Sequence, residues 1–151
     1  MGAALLSGRG EPAAGTSELI RILVIDDDAC VGKAIQAILD RRRYETVLAS
    51  RACAGIDMLH QSRFDVVLLD VFMPGLSGLN AIEYIRREWT VPIIAMSGFS
   101  LRNLDKTPDH LVMAERCGAT LCMRKPFKSR DLIEAVEWSV GLLRSTEGQT
   151  H

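Results

Sequence analysis

The stretch VVLLDVFMPGLSG, residues 66–78, decides the fold. Val66 to Leu69 are apolar on consecutive positions with no polar alternation, so a strand made of them must be covered on both faces. Asp70 stands at the end of that run. Beyond the Met-Pro-Gly turn, Leu79, Ile82 and Ile85 return at the three-and-four spacing of an amphipathic helix. Buried strand, acid, turn and helix therefore follow one another within about twenty residues.

Outward from this unit the pattern repeats. Ile20 to Ile25, Ile93 to Met96 and Thr120 to Met123 are further short apolar runs that read as strands buried on both faces. Tyr44 to Ala49 is more mixed in polarity, as suits a strand at a sheet edge. Helical spacing relates Val31, Ile35 and Ile38, then Ile56 and Leu59, and finally Leu132, Val136, Val140 and Leu143. Asp28, Ser50 and Ser129 are placed to cap three helices, and Gly118 to end the helix before the last strand. Alternating strands and helices predict an α/β fold: a single doubly wound parallel sheet of five strands with helices on both faces. Residues 1–18 and 145–151 read as flexible tails around a domain at 19–144, and Ser97 to Asp109 as a long irregular loop.

Composition narrows the function. A chain of 151 residues with 48% hydrophobic and 25% charged residues suits one ordinary globular domain. A net charge of −1 provides no footprint for nucleic acid, so no nucleic-acid contact by this chain is expected. The run Arg41 to Arg43 reads as a cationic helix terminus. Cys30, Cys53, Cys117 and Cys122 form no C-x-x-C pair and sit among apolar neighbours, which predicts buried thiols in a reducing compartment. No secretory signal pattern and no apolar run of about 18 residues are found, so a cytoplasmic protein with no membrane association is expected.

The polar residues at the strand ends carry the chemistry. Asp26, Asp27 and Asp28 follow the first strand, Asp70 the third, Ser97 the fourth and Lys125 with Pro126 the fifth. In an open parallel sheet the carboxyl ends of the strands form the ligand crevice, so these residues should meet. Three carboxylates about 5 Å apart repel by roughly 3 kcal/mol per pair at an effective dielectric near 20, so a cation or protonation must offset them, and a hard divalent ion is the natural answer. Oxygen-only ligands point to Mg²⁺ rather than Zn²⁺. Asp28 is better read as an N-cap than as a third ligand from the first cluster.

VIDDD after the first strand, LLDVFMPGLSG around Asp70, MSG after the fourth strand and RKPF after the fifth resemble the response-regulator receiver family, over about residues 20 to 143. That resemblance implies the flavodoxin-like strand order 2-1-3-4-5. It further implies Asp70 as phosphoacceptor, Ser97 and Lys125 binding phosphoryl oxygens, and Mg²⁺ held by Asp26, Asp27, Asp70 and the backbone carbonyl of Phe72. A cis bond between Lys125 and Pro126 is expected, and Met73, Pro74 and Gly78 should shape the loop that leads to the third helix. The implied partners are a histidine kinase or histidine phosphotransfer protein and a downstream protein, with a phosphorylation-dependent dimer also compatible. With no output domain expected after the last helix, the signal would leave by protein contact, on the surface of the fourth helix, fifth strand and fifth helix. Catalysis is limited to self-catalysed phosphotransfer and autodephosphorylation.

Two departures from the family pattern stand out. Cys122 occupies the position, three before the lysine, where receivers usually carry an aromatic switch, and the stretch from Ser97 to Gly118 is longer than usual. Phe99 or Leu101 is the expected substitute for that aromatic. Phe72 and Phe99 occupy the two positions that flank the approach of water, which predicts slow loss of phosphate. Two alternatives remain in view: a receiver-like scaffold independent of phosphorylation, which Cys122 favours, and an aspartate-nucleophile phosphatase. The latter would need a second acid where Phe72 stands.

Overall fold

The structure, a computed structural model, describes residues 19–73, 76–98 and 110–148, with side chains described to residue 142. Its elements are β1 (Arg21–Ile25), α1 (Ala29–Asp40), β2 (Glu45–Ala49), α2 (Ala52–Gln61), β3 (Val66–Asp70), α3 (Gly78–Glu88), β4 (Ile93–Gly98), α4 (His110–Cys117), β5 (Leu121–Lys125) and α5 (Ser129–Gly148). The strands form one parallel sheet in the order β2-β1-β3-β4-β5. This is the flavodoxin-like order, with the mixed-polarity β2 at an edge as expected.

The two-residue period of a strand sorts the apolar side chains into two cores. Leu23, Ile25, Val67, Leu69, Ile93 and Ala95 pack with α2, α3 and Ala114 of α4 on one face. Ile22, Val24, Val66, Leu68, Ile94 and Met96 pack with Ile35 and Leu39 of α1 and Leu132, Val136 and Val140 of α5 on the other. Helices covering both faces are the reason the strand sequences show no alternation. β5 departs from that reading: it is the second edge, and all its residues but the exposed Arg124 are half-buried rather than enclosed. Its apolar run is covered from within but open at its outer rim.

Several local expectations are corrected. The Asp28 carboxylate does cap α1, accepting from the amides of Cys30 and Val31. The capping position of α2 belongs instead to Arg51, which makes no side-chain cap bond, not to Ser50. Ser129 is already the first residue of α5, since the Leu132 amide closes the first turn on the carbonyl of Lys128. That helix continues through Ser145 to Gly148, because nothing between them breaks a helix. Cys30 and Cys53 are exposed rather than buried. Each lies off the stripe that its helix turns inward, at Gly32, Ile35 and Leu39 in α1 and at Ala52, Gly55, Ile56 and Leu59 in α2. Cys117 and Cys122 are half-buried against the first core.

The basic run lies just past α1 rather than in its last turn. Arg41 is the C-cap, Arg42 reaches Glu137 of α5 at 3.5 Å, and Arg43 adopts a left-handed φ of 62°. At the amino end of the sheet, Arg86 of α3 fills the role that a covering loop would otherwise need. Its guanidinium donates to the carbonyls of Gly118 (3.0 Å) and Val91 (2.9 Å) and to the hydroxyl of Thr120 (3.4 Å). Gly118 ends α4 with φ of 119°, a conformation that side chains resist, and a Cβ there would sit 3.0 Å from Arg86 Cγ.

Candidate functional site

Parallel pairing brings the carboxyl ends of β1, β3, β4 and β5 to one edge of the molecule, and with them the acids and the lysine. Asp26 leaves β1 with its amide bound to the carbonyl of Ala49 on β2. Its own Oδ1 accepts from the Asp28 amide at 2.9 Å, which fixes a buried carboxylate only 4% exposed. Asp70 ends β3, and its Oδ1 accepts from the Phe72 amide at 2.9 Å. Lys125 ends β5 and extends its ammonium between them, donating to Asp26 Oδ2 at 2.5 Å and Asp70 Oδ2 at 3.3 Å. The bond from Lys125 to Pro126 is cis, as expected.

Asp27, by contrast, faces solvent. It nonetheless presents an oxygen to the cluster: one ligand atom each from Asp26, Asp27 and Asp70 lies within 4.8 Å of the others. Ser97 is buried at the end of β4, one residue beyond the register partner of Asp70, and its hydroxyl donates to the Gly98 carbonyl at 3.4 Å. Phe72 enters the site through its backbone amide, while its side chain points to a neighbour that the sequence did not suggest. The Phe72 and His110 rings lie 4.3 Å apart at 53°. No sequence signal announces this contact, because the two residues belong to different units and meet only when α4 packs beside the β3–α3 loop. Gly78 closes that loop: a Cβ there would meet Val71 Cα at 2.3 Å and the Asp70 carbonyl at 2.7 Å, so only glycine lets α3 start against the acid-bearing turn. Pro74, Phe99 and Leu101 lie outside the described residues.

The electrostatics follow from burial and charge imbalance. Burial pushes Asp70 up to about 6, assisted by the Asp26 carboxylate and opposed by the Phe72 amide and the Lys125 charge. Lys125 shows the reverse competition. Burial by itself would lower it, but its hydrogen bond to Asp26 and the charges of Asp70 and Asp26 raise it above the ordinary lysine value. One ammonium faces three carboxylates, and pairs of like charge at 4.8 Å oppose each other by roughly 3 kcal/mol each. Such a cluster favours a further cation of oxygen-seeking chemistry.

A doubly wound parallel sheet with an acidic cluster and a lysine at its carboxyl edge defines an α/β domain whose ligand crevice is polar and charged. Residues 22–137 match the response regulator receiver domain, and the chain belongs to that family. Among curated proteins it is 35% identical over 112 residues to the uncharacterized transcriptional regulatory protein YrkP of Bacillus subtilis, covering 74% of this chain and 46% of that protein. It is 29% identical over 116 residues to the DNA-binding response regulator MtrA of Mycolicibacterium paratuberculosis, covering 77% and 49%. The chain thus spans about half the length of the curated relatives it matches. The crystal structure of a CheY-like receiver domain protein from Methanospirillum hungatei superposes with a TM-score of 0.74 at 26% identity, covering 85% of this chain and 99% of that one. No helix among the described residues is long and apolar enough to cross a membrane.

Proposed function

We propose that this receiver domain, residues 19–144, takes a phosphoryl group onto Asp70 from a phosphohistidine of a histidine kinase or phosphotransfer protein and passes the signal on by protein contact. The observation that supports this most directly is the meeting of Asp26, Asp27, Asp70 and Lys125 at one edge of the sheet, with Ser97 beside them. An Asp70 carboxylate oxygen attacks phosphorus, the nitrogen–phosphorus bond breaks, and its electron pair returns to the donor imidazole. The product is an acyl phosphate that adds about −1.5 to −2 charges at neutral pH and biases a two-state domain.

The donor set suits Mg²⁺: carboxylate oxygens only, three within 4.8 Å of one another. Asp26, Asp27 and Asp70, with the Phe72 carbonyl, would hold the ion, which supplies charge neutralisation for the phosphoryl oxygens when bound. Lys125 already spans the acceptor and its neighbour, so its ammonium can pass from Asp70 Oδ2 to a phosphoryl oxygen without leaving Asp26. Among the described residues Ser97 donates a long bond to the carbonyl of the next residue, a weak hold from which its hydroxyl can turn to an anion arriving on Asp70. The near-neutral charge favours a protein partner over nucleic acid for these residues. A scaffold independent of phosphorylation has no need of a lysine held between two buried acids.

The test is intact mass after incubation with acetyl phosphate, with and without Mg²⁺, for the native chain and Asp70→Ala. A Mg²⁺-dependent phosphoryl adduct that the variant lacks is the expected result. An unmodified native chain under every condition would refute the reading in favour of the scaffold.

A further inference from the structure

β5 carries Cys122 where a ring would ordinarily report the state of the acceptor, yet a ring contact links the acceptor loop to the neighbouring helix by another route. The Phe72 amide donates to Asp70 Oδ1 at 2.9 Å, so the Phe72 backbone is tied to the acceptor. The Phe72 ring lies 4.3 Å from that of His110, the first residue of α4. The next residue, Leu111, is buried, and its carbonyl accepts from the Cys122 thiol of β5 at 3.3 Å. Asp70, Phe72, His110, Leu111 and Cys122 thus form a continuous path from the acceptor to the α4–β5 face.

We infer that the Phe72–His110 ring contact is the link by which the state of Asp70 reaches helix α4. The surroundings allow the contact to have two arrangements. A hollow of ≈ 460 Å³, lined by Val71, Phe72, Met73, Ser77, Leu79 and His110, lies beside the pair, and Phe72 itself is 37% exposed. A phosphoryl group on Asp70 competes for the oxygen that holds the Phe72 amide, which moves the loop. The ring can then slide on His110 or turn into the hollow, and α4 responds because its first residue has lost or changed its packing partner.

The inference rests on the phosphoacceptor reading, and the experiment separates the two. Amide hydrogen exchange in α4 is followed on the full chain, before and after treatment with acetyl phosphate and Mg²⁺, with intact mass recording phosphoryl uptake. In the native chain, uptake is expected to change the protection of α4. His110→Ala is expected to take up phosphate to the same extent with the α4 response lost, whereas His110→Phe, which restores a ring, keeps the response. Phe72→Leu should lose the response too, and adding His110→Ala to it should cost nothing more, as for two residues acting through one contact. Native α4 that ignores phosphorylation, or a His110→Ala chain whose α4 responds as the native one does, overturns the inference alone. No phosphoryl uptake by the native chain overturns the phosphoacceptor reading and this inference with it.

Discussion

Asp70→Asn should make the metal-free protein more stable at neutral pH while abolishing its proposed chemistry. Asp70 is 6% exposed, and its carboxyl titrates at about 6 instead of the ordinary 3.8, first because burial disfavours the charge and then because Asp26 adds repulsion. A native-state value above the unfolded one means that the folded chain holds the proton longer. Its contribution to stability is therefore fully present at low pH and is lost as pH rises through 6. Relative to an ordinary carboxyl, the raised value disfavours the native state by roughly 3 kcal/mol at pH 8, where Asp70 is ionised in both states, and by roughly 1 kcal/mol at pH 4.5, where only the unfolded chain is largely ionised. Asparagine keeps the oxygen that accepts from Phe72 but sets an amide against the Lys125 ammonium, which reduces the expected gain to about 2 kcal/mol at pH 8. Urea denaturation in EDTA at pH 8 and pH 4.5 measures it. A variant no more stable than the native chain at pH 8, or one whose gain is the same at both pH values, refutes the reasoning. Saturating Mg²⁺ should shrink or reverse the gain, since the ion stabilises the carboxylate and not the amide.

Three further outcomes are expected. Arg86→Met leaves the Gly118 and Val91 carbonyls and the Thr120 hydroxyl without their shared donor, and should cost about 2–3 kcal/mol in a urea titration; a loss below about 0.5 kcal/mol would show that water replaces the guanidinium freely. Arg43→Gly removes a side chain from a left-handed residue with φ of 62° and should add roughly 0.5–1 kcal/mol to stability, read from the same titration. Phe72→Asn puts a group able to orient water beside the proposed acceptor Asp70, and should shorten the lifetime of a phosphoryl adduct followed by mass; an unchanged lifetime would remove Phe72 from the account of phosphate loss.

Legibility varied with how local each feature was. The amide-capping role of Asp28 and the helix-ending role of Gly118 depend on neighbours in the chain, and both were readable. Ser50 and Ser129 carry the same type of side chain as good caps, yet the helices start one residue away from where propensity placed them, because packing of Ala52 and Leu132 sets where each helix begins. The thiols were misread because apolar neighbours in sequence do not specify which side of a helix a residue occupies. Cys30 and Cys53 sit beside inward-facing residues and point outward themselves.

By itself the sequence determined the class of fold and the membership of the acidic site. Consecutive apolar strands alternating with amphipathic helices have few other ways to bury their surface, and parallel strands must deliver their carboxyl ends to one edge. Tertiary structure alone decided that β5 is only half-buried, that Arg86 ties the amino ends of the sheet, and that His110 meets Phe72. It also decided the charge state of Asp70. Any aspartate sequence position is compatible with an ordinary carboxyl, whereas enclosure beside Asp26 and Lys125 sets Asp70 near 6. Such a property is a sum over neighbours that only folding brings within range, and the residues supplying it, Asp26, Phe72 and Lys125, stand at or just beyond the ends of three separate strands.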